Sequence, residues 1–557
     1  MKVSKLTQSQ RDTIDNNSGL QRYLDSLLKG KAFTPRSWLY EDKQPDEILA
    51  LWKKHLSRLE NGSIFEQRVF QFDISQEAKW GPQGGVAPIQ DLMEIIEEGY
   101  KQAASPRPKV FDSKEWAFAK QMVRSELLRH AKNLRPASYK HVVDDMRARD
   151  TLESNSGWPL FTRRSKPEVK QAAITDAENG NWKTYPAIAL FRNYNQKTRL
   201  VWMFPMAANL VEGSFFQPLQ SALMKASKYP ISELDPWVGF EACRRAMTRT
   251  YDMGQVAMAS DFTLTDAHFT IHSSMEVFDV IKDCFQSQFR DMLRESIEHM
   301  HSIPLIIGPD SIIEGQHGVS SGSNWTNFIE TIFDMILGHY VSLRMPAIAY
   351  MRNRTKADGT MIVEGVDPEY VQLSEECFSH PDVLYCIGDD IAWHAWAHDP
   401  RFSEFLEEFG CDVGQIIKAD KTTNERDYVK SLQRLFQRGY RRPDGELRAV
   451  YSTIRALKSS VFPERFHDPR KWSPDMFCVR QYMILENCVD HPLFEEFVPF
   501  VVRGNEHLIP FARKTSAQLD TALRESKLLP GLNPTYNQER RDTSLSEFAS
   551  IKLAREL

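Results

Sequence analysis

The chain has 557 residues, 41% hydrophobic and 26% charged. That length and composition can bury more than one core, which excludes a mainly disordered protein. Lys and Arg number 70 against 75 Asp and Glu, a formal net charge of −5. A uniformly basic nucleic-acid coat is excluded, although a local basic groove is not. The seven cysteines form no C-x-x-C pair, which argues against zinc knuckles and redox motifs. A sparse, odd set suits a reducing compartment. The polar first ten residues lack the core of a secretory signal, and no apolar run reaches the ~18 residues of a membrane span. A soluble intracellular globular protein is expected.

In chain order, Trp80-Gly81-Pro82-Gln83-Gly84-Gly85 reads as a loop. Residues 113–134 read as an amphipathic helix with Lys120, Arg124, Arg129 and Lys132. Ser154-Asn155-Ser156-Gly157-Trp158-Pro159 is rich in turn residues. Lys197-Thr198-Arg199 leads into an apolar strand over 200–204, so Lys197 and Arg199 share one side, with Arg192 just before them. Residues 256–262 read as a strand, and a helical pattern begins near Asp266. A small-residue loop, 318–324, opens a helix over 325–340 whose apolar residues recur at i, i+3, i+4 and i+7. Apolar runs at 383–387 and 391–393 flank Gly388-Asp389-Asp390, a hairpin with acids at its tip. The run Lys430, Arg434, Arg438, Arg441 and Arg442, interleaved with Leu432, Leu435, Phe436 and Tyr440, reads as an edge that could track a nucleic-acid backbone. Beyond about Tyr440 the chain looks helical and forms a separate C-terminal lobe.

Three carboxylates stand out. Asp389 and Asp390 at one tight turn repel each other and resist burial, a conflict that a divalent cation removes. Hard oxygen ligands suit Mg²⁺ or Mn²⁺. Asp261, ending the 256–260 strand, supplies a third ligand, and the set could clamp two ions. Thr326 and Glu330 lie at i and i+4 on one helix face and, with Asp266, could bond a ribose 2′-OH. Arg192, Lys197 and Arg199 suit phosphate contact. Lys421 could protonate a departing pyrophosphate. Taken singly, each is equally an acidic turn, a helix cap or a surface cation.

Their order along the chain resembles viral RNA-dependent RNA polymerases. Ser154 to Pro159 looks like motif G, with Ser156 and Gly157 as RNA contacts. Lys197-Thr198-Arg199-Leu200 resembles motif F. Asp261 and Asp266 fit the D-x4-D of motif A. Ser321, Gly322 and Thr326 fit the S-G-x3-T of motif B, and Gly388-Asp389-Asp390 is motif C. Ala419-Asp420-Lys421 matches motif D, and Ser431 to Phe436 resembles motif E, with Leu432 and Arg434 as a primer grip. The motif B form, continuing Thr-Asn-Phe-Ile-Glu-Thr, is most like picobirnavirus polymerases, with partitivirus polymerases next.

The resemblance implies an α+β right hand of fingers, palm and thumb, its palm an antiparallel sheet flanked by helices. Residues 1–110 would bridge fingers and thumb, 111–254 form fingers, 255–439 the palm with an interleaved fingers segment, and 440–557 a helical thumb and extension. It implies RNA-directed RNA polymerisation with Asp261, Asp389 and Asp390 as metal ligands, Lys421 as general acid and two Mg²⁺ or Mn²⁺ ions. Nucleotide contacts fall to Lys197, Arg199, Asp266, Ser321, Gly322, Thr326, Asn327 and Glu330. Asp266 and Glu330 cannot both accept from one hydroxyl proton without strain, so Asn327 or Ser321 is the alternative partner. Implied partners are template and product RNA, NTPs and a viral capsid protein, without membrane or DNA. The implied location is the virion interior and host-cell cytoplasm, and the genome double-stranded RNA. A reverse transcriptase and a non-catalytic RNA-binding or capsid-associated protein are the alternatives.

Overall fold

Period-two alternation sorts the strand Val256–Asp261 between two cores. Val256 and Met258 join one, Ala257 and Ala259 the other, and Asp261 is left exposed at the end. A computed structural model describes residues 1–148, 151–225, 231–353, 381–532 and 543–557. Its strands are β1 (Lys2–Lys5), β2 (Ala187–Tyr194), β3 (Lys197–Met203), β4 (Val256–Asp261), β5 (Leu305–Ile306), β6 (Ser311–Glu314), β7 (Asp382–Ile387), β8 (Asp390–Ala395), β9 (Thr423–Asn424), β10 (Tyr428–Ser431), β11 (Arg434–Gln437) and β12 (Val450–Tyr451).

The central sheet has the order β7-β8-β4-β9 and every pairing in it is antiparallel. Helices cover both faces. On one lies the Trp325–Asn353 helix, whose Gly338 comes so close that a Cβ there would stand 2.2 Å from Val383 Cγ2. On the other, the Phe240–Asp252 helix contributes Phe240, Cys243, Ala246 and Met247. The predicted helix near Asp266 is a single turn, Thr265–His268. The chain resumes helix only at Ile271–Ile281. The predicted helix at 113–134 runs Lys114–His130. A second sheet, β1-β6-β5-β2-β3, carries Lys197 and Arg199 on its edge strand. This is the expected mixed α+β plan, with an antiparallel sheet between helices. Among the described residues no helix is long and apolar enough to cross a membrane.

The C-terminal helices do not form a lobe by themselves. Leu39, Ile48, Trp52, Leu56, Val69 and Phe72, from the first hundred residues, complete their core. Others from that stretch, such as Leu20, Leu24 and Ile96, join the large core under the second sheet. Residues 1–110 therefore tie the two lobes together.

The firmest tie is Asp73, fully buried at the end of the Ile64–Ser75 helix. One oxygen accepts from the Ser452 hydroxyl at 2.6 Å and the Ile454 N–H at 3.0 Å. The other accepts from the Thr453 hydroxyl at 2.6 Å and His491 Nε2 at 2.8 Å. His491 Nδ1 accepts from the Leu493 N–H, so Nε2 carries the proton. Burial pushes the Asp73 carboxyl up, but the His491, Ser452 and Thr453 donors win and hold it below the usual carboxylate range. Asp73→Asn puts an amide among donors only. Thermal or urea unfolding should show a loss of about 1–3 kcal/mol. Unchanged stability would mean that the tie is decorative.

Candidate active site

The register that pairs β4 with β8 sets Asp261 directly opposite Asp390, while Ile387 pairs with Asp390 across the hairpin. The turn between β7 and β8 needs a left-handed residue, and Gly388 supplies it with φ +56°. Its N–H donates to the Thr331 hydroxyl at 2.9 Å, and that hydroxyl donates to the Asn327 carbonyl at 2.7 Å. The acidic tip is thereby pinned to the Trp325–Asn353 helix. Thr265, in the single helical turn beside Asp266, donates from Oγ1 to Asp389 Oδ2 at 3.0 Å. Carboxylate oxygens of Asp261, Asp389 and Asp390 all lie within 4.8 Å of one another. A hard divalent cation fits this set of donors.

The electrostatics agree. Asp261 keeps one side open to solvent, yet partial burial in the cleft, then the charge of Asp389, pushes its carboxyl up to about 6, and burial and Asp389 push that of Asp266 up to about 7. Asp389 is raised by burial, and Asp390 far more by burial and by Asp389. Arg199 pulls Asp261, Asp266 and Asp389 the other way, and Lys197 and Lys421 pull Asp261. Three of the four predicted cations therefore bear on the cluster, whereas Arg192 forks onto the Glu464 carboxylate. Beneath it sit two further acids, Glu330, 5% exposed, and Asp334, fully buried. Burial, then the neighbouring carboxylates, pushes both far up. Glu330 Oε1 and both Asp334 oxygens lack hydrogen-bond partners among the described residues.

These crowded carboxyls keep their protons to higher pH in the folded chain than in the unfolded one. Without cations, stability therefore falls as pH rises from about 4 to about 7. Mg²⁺ or Mn²⁺ should raise the melting temperature clearly near pH 8 and hardly near pH 5. An equal rise at both would contradict a site built from these acids.

The small-residue loop is threaded between the second sheet and Asp266. A Cβ on Gly318 would stand 1.9 Å from the Asp266 carbonyl oxygen, and one on Gly322 1.7 Å from that of Trp202. The Trp202 N–H donates to the Ser321 carbonyl at 2.7 Å, and Thr326 Oγ1 to the Ser320 carbonyl at 2.8 Å. Gly318, at the head of the loop, thus lies against Asp266, and Asn327 Nδ2 comes within 3.1 Å of where a Cβ on Gly388 would stand. Lys421 reaches Asp261 because β9 pairs with β4 and the Thr263 N–H donates to the Ile416 carbonyl.

Several predicted contacts fall elsewhere. Glu330 lies under Gly388, its Oε2 3.5 Å from where a Cβ would stand, and not on the open surface of the site. Ser156 and Gly157 are buried. Ser156 bonds Thr162 through its N–H and its Oγ, and a Cβ on Gly157 would meet the Phe204 carbonyl at 2.5 Å. Their neighbours Glu153, Ser154, Asn155, Arg163 and Arg164 line a groove of about 640 Å³ with Trp202 and Gly322. Arg434 is 4% exposed, bonds the Asn487 carbonyl at 2.5 Å and lies between the rings of Phe240 and Tyr451. It is structural. Leu432 sits half-buried in the two-residue turn of the β10–β11 hairpin. The basic run 430–442 is largely spent on ion pairs: Arg438 with Asp427, Arg441 with Asp252, Arg442 with Asp444. Asp334, Thr265 and Thr331 escaped the sequence reading. Asp334 could have been found four residues beyond Glu330, on the same helix face.

Residues 194–447 match the family model for viral RNA-dependent RNA polymerases. A "Potential RNA-dependent RNA polymerase" of human picobirnavirus is 26% identical over 512 residues, covering 88% of this chain and 86% of the relative. Crystal structures of a human picobirnavirus RNA-dependent RNA polymerase and of its insertion loop deletion mutant superpose with TM-scores of 0.76 and 0.77. Each is 22% identical and is covered over 100% of its length by 99% of this chain. The fold is thus that of a right-hand polymerase. The matched region holds the three-aspartate cluster, so residues 194–447 carry the viral RNA-dependent RNA polymerase domain.

Proposed function

We propose that this polymerase replicates and transcribes a double-stranded RNA genome by two-metal-ion nucleotidyl transfer from NTPs to an RNA 3′-OH. The observation that carries the reading is the convergence of Asp261, Asp389 and Asp390 within 4.8 Å, from strands far apart in the chain. Bound there, two Mg²⁺ or Mn²⁺ ions supply the positive charge that lowers the pKa of the 3′-OH and steadies the α-phosphate. The chain's own groups position and screen charge, the main demand of phosphoryl transfer. Arg199 and Lys197 neutralise the triphosphate. Asp266, Thr326 and Asn327 hold the ribose, while Glu330 stays buried under the turn that carries Asp389. Lys421 gives a proton to the departing pyrophosphate. The same reading places the enzyme in the virion interior and the host-cell cytoplasm.

The test is incorporation by the purified chain on defined single- and double-stranded RNA, with and without primer, comparing rNTPs with dNTPs. Preference for dNTPs would favour a reverse transcriptase, and no incorporation with either cation would sink the reading. Lys421→Leu should lower kcat roughly 10²-fold while leaving RNA affinity near that of the parent. A parallel loss of RNA affinity would move Lys421 into the RNA path.

A further inference from the structure

The loop bearing Ser321, Gly322, Ser323 and Asn324 is held from behind by buried polar side chains outside every motif above. Glu212, on the Met206–Met224 helix, is 1% exposed. One of its oxygens accepts from the Ser323 hydroxyl. The other accepts from the Asn324 N–H at 3.0 Å and from Asn209 Nδ2 at 2.9 Å. Asn209, nearly one turn earlier and also buried, donates from the same amide to the Gly322 carbonyl at 3.2 Å. Its backbone carbonyl accepts from Asn324 Nδ2 at 3.0 Å. Asn209 Oδ1 accepts from Arg164 Nη2 at 2.8 Å, and Arg164 Nε donates to the Asn155 carbonyl at 3.1 Å.

A continuous path of hydrogen bonds therefore joins the 154–164 loop to the 320–326 loop. Arg164 and Asn155 line the same groove as Gly322. Capping the Trp325–Asn353 helix needs only a neutral oxygen, such as that of Ser323. Burial pushes the Glu212 carboxyl up to about 7 although Ser323, Asn324, Asn209 and Arg164 all pull it down, so holding the loop this way is costly. Trp202 clamps the loop from the opposite side, through the Ser321 carbonyl and the close approach of Gly322.

We propose that Arg164, Asn209 and Glu212 are positioning residues that carry the conformation of the 154–164 loop to the 320–326 loop, so that ribonucleotide selection depends on template engagement. The proposal rests on the polymerase reading, with the 320–326 loop on the nucleotide side and the 154–164 loop on the template side. Glu212→Gln keeps the shape but turns one acceptor into a donor facing donors. Arg164→Met keeps the stem and removes the fork.

The experiment measures single-nucleotide incorporation on an RNA template with Mg²⁺, giving kcat and KM for an rNTP and its dNTP, beside thermal melting. Each variant should raise KM for the rNTP about tenfold, change kcat less, and lower the rNTP-to-dNTP preference. The double variant should lose little more than either single one, because both break one path. If kcat and melting temperature fall together while the preference holds, the residues are merely structural and the proposal fails. Asn209→Ser carries the same expectation if Glu212→Gln does not fold. A wild-type chain that polymerises, beside variants with unchanged preference, overturns the relay alone. An inactive wild-type chain overturns the polymerase reading with it.

Discussion

Asp389→Ala is expected to lower nucleotide incorporation by roughly 10⁴-fold while the protein stays folded. Asp389 is the one aspartate of the three whose charge raises the pKa of both Asp261 and Asp266, so it sits at the electrostatic centre of the cluster. Removing it takes away a cation ligand and leaves too few oxygens to hold the reacting groups in line. It also relieves repulsion. Without cations near pH 8, the variant should melt at a higher temperature than the parent, because one half-buried like charge is gone from the cluster. Incorporation assays with Mg²⁺ and Mn²⁺, beside melting curves without cations, check both halves. Retained incorporation would contradict the ligand assignment. A lower melting temperature would show that Asp389 is held by favourable contacts rather than against repulsion.

Gly322→Ala is the second large effect. The added methyl would stand 1.7 Å from the Trp202 carbonyl oxygen, and φ at Gly322 is +139°, where a side chain is strained. Backbone cannot swing aside as a rotamer can, so the loop has to move by about an ångström or more and the Trp202-to-Ser321 hydrogen bond breaks. Misplacement on that scale costs catalysis about 10²-fold. Gly99→Ala serves as the comparison. It lies inside the Met93–Ala103 helix with nothing within 4 Å of its added Cβ. Activity there should be unchanged and stability slightly higher, by about 0.5–1 kcal/mol. Equal behaviour of the two variants in incorporation assays would show that the loop's close approach is irrelevant.

The legible features were those set by local periodicity. Alternation along β4, the apolar stripe of the Trp325–Asn353 helix and the acidic turn between β7 and β8 could be read because strand and helix geometry repeats over a few residues. The spacing of Asp261 and Asp266, and the small-residue loop before Trp325, could be read for the same reason. Positions whose partners lie far along the chain were read less well. Arg434 looked like a nucleic-acid contact, yet its partners are Asn487, Phe240 and Tyr451. Ser156 and Gly157 were expected as RNA contacts in a turn-rich segment, yet β3 and the chain after it close over them through Phe204 and Met206. The apolar pattern of residues 39–72 did not tie them to the C-terminal helices, because an apolar helix face does not name its partner; only the resemblance implied a bridge from 1–110 to 440–557.

By itself the sequence determined which residues can do phosphoryl-transfer chemistry and in what order they occur, since residue type and short spacing are local properties. Only the tertiary structure decided which of them meet: the antiparallel register that faces Asp261 with Asp390, the burial that takes Glu330 off the open surface, and the ion pairs that use up the basic run after Ser431. Register and burial depend on contacts such as Asp261 with Asp390 and Arg441 with Asp252, more than a hundred positions apart, and packing of the whole chain is what selects them.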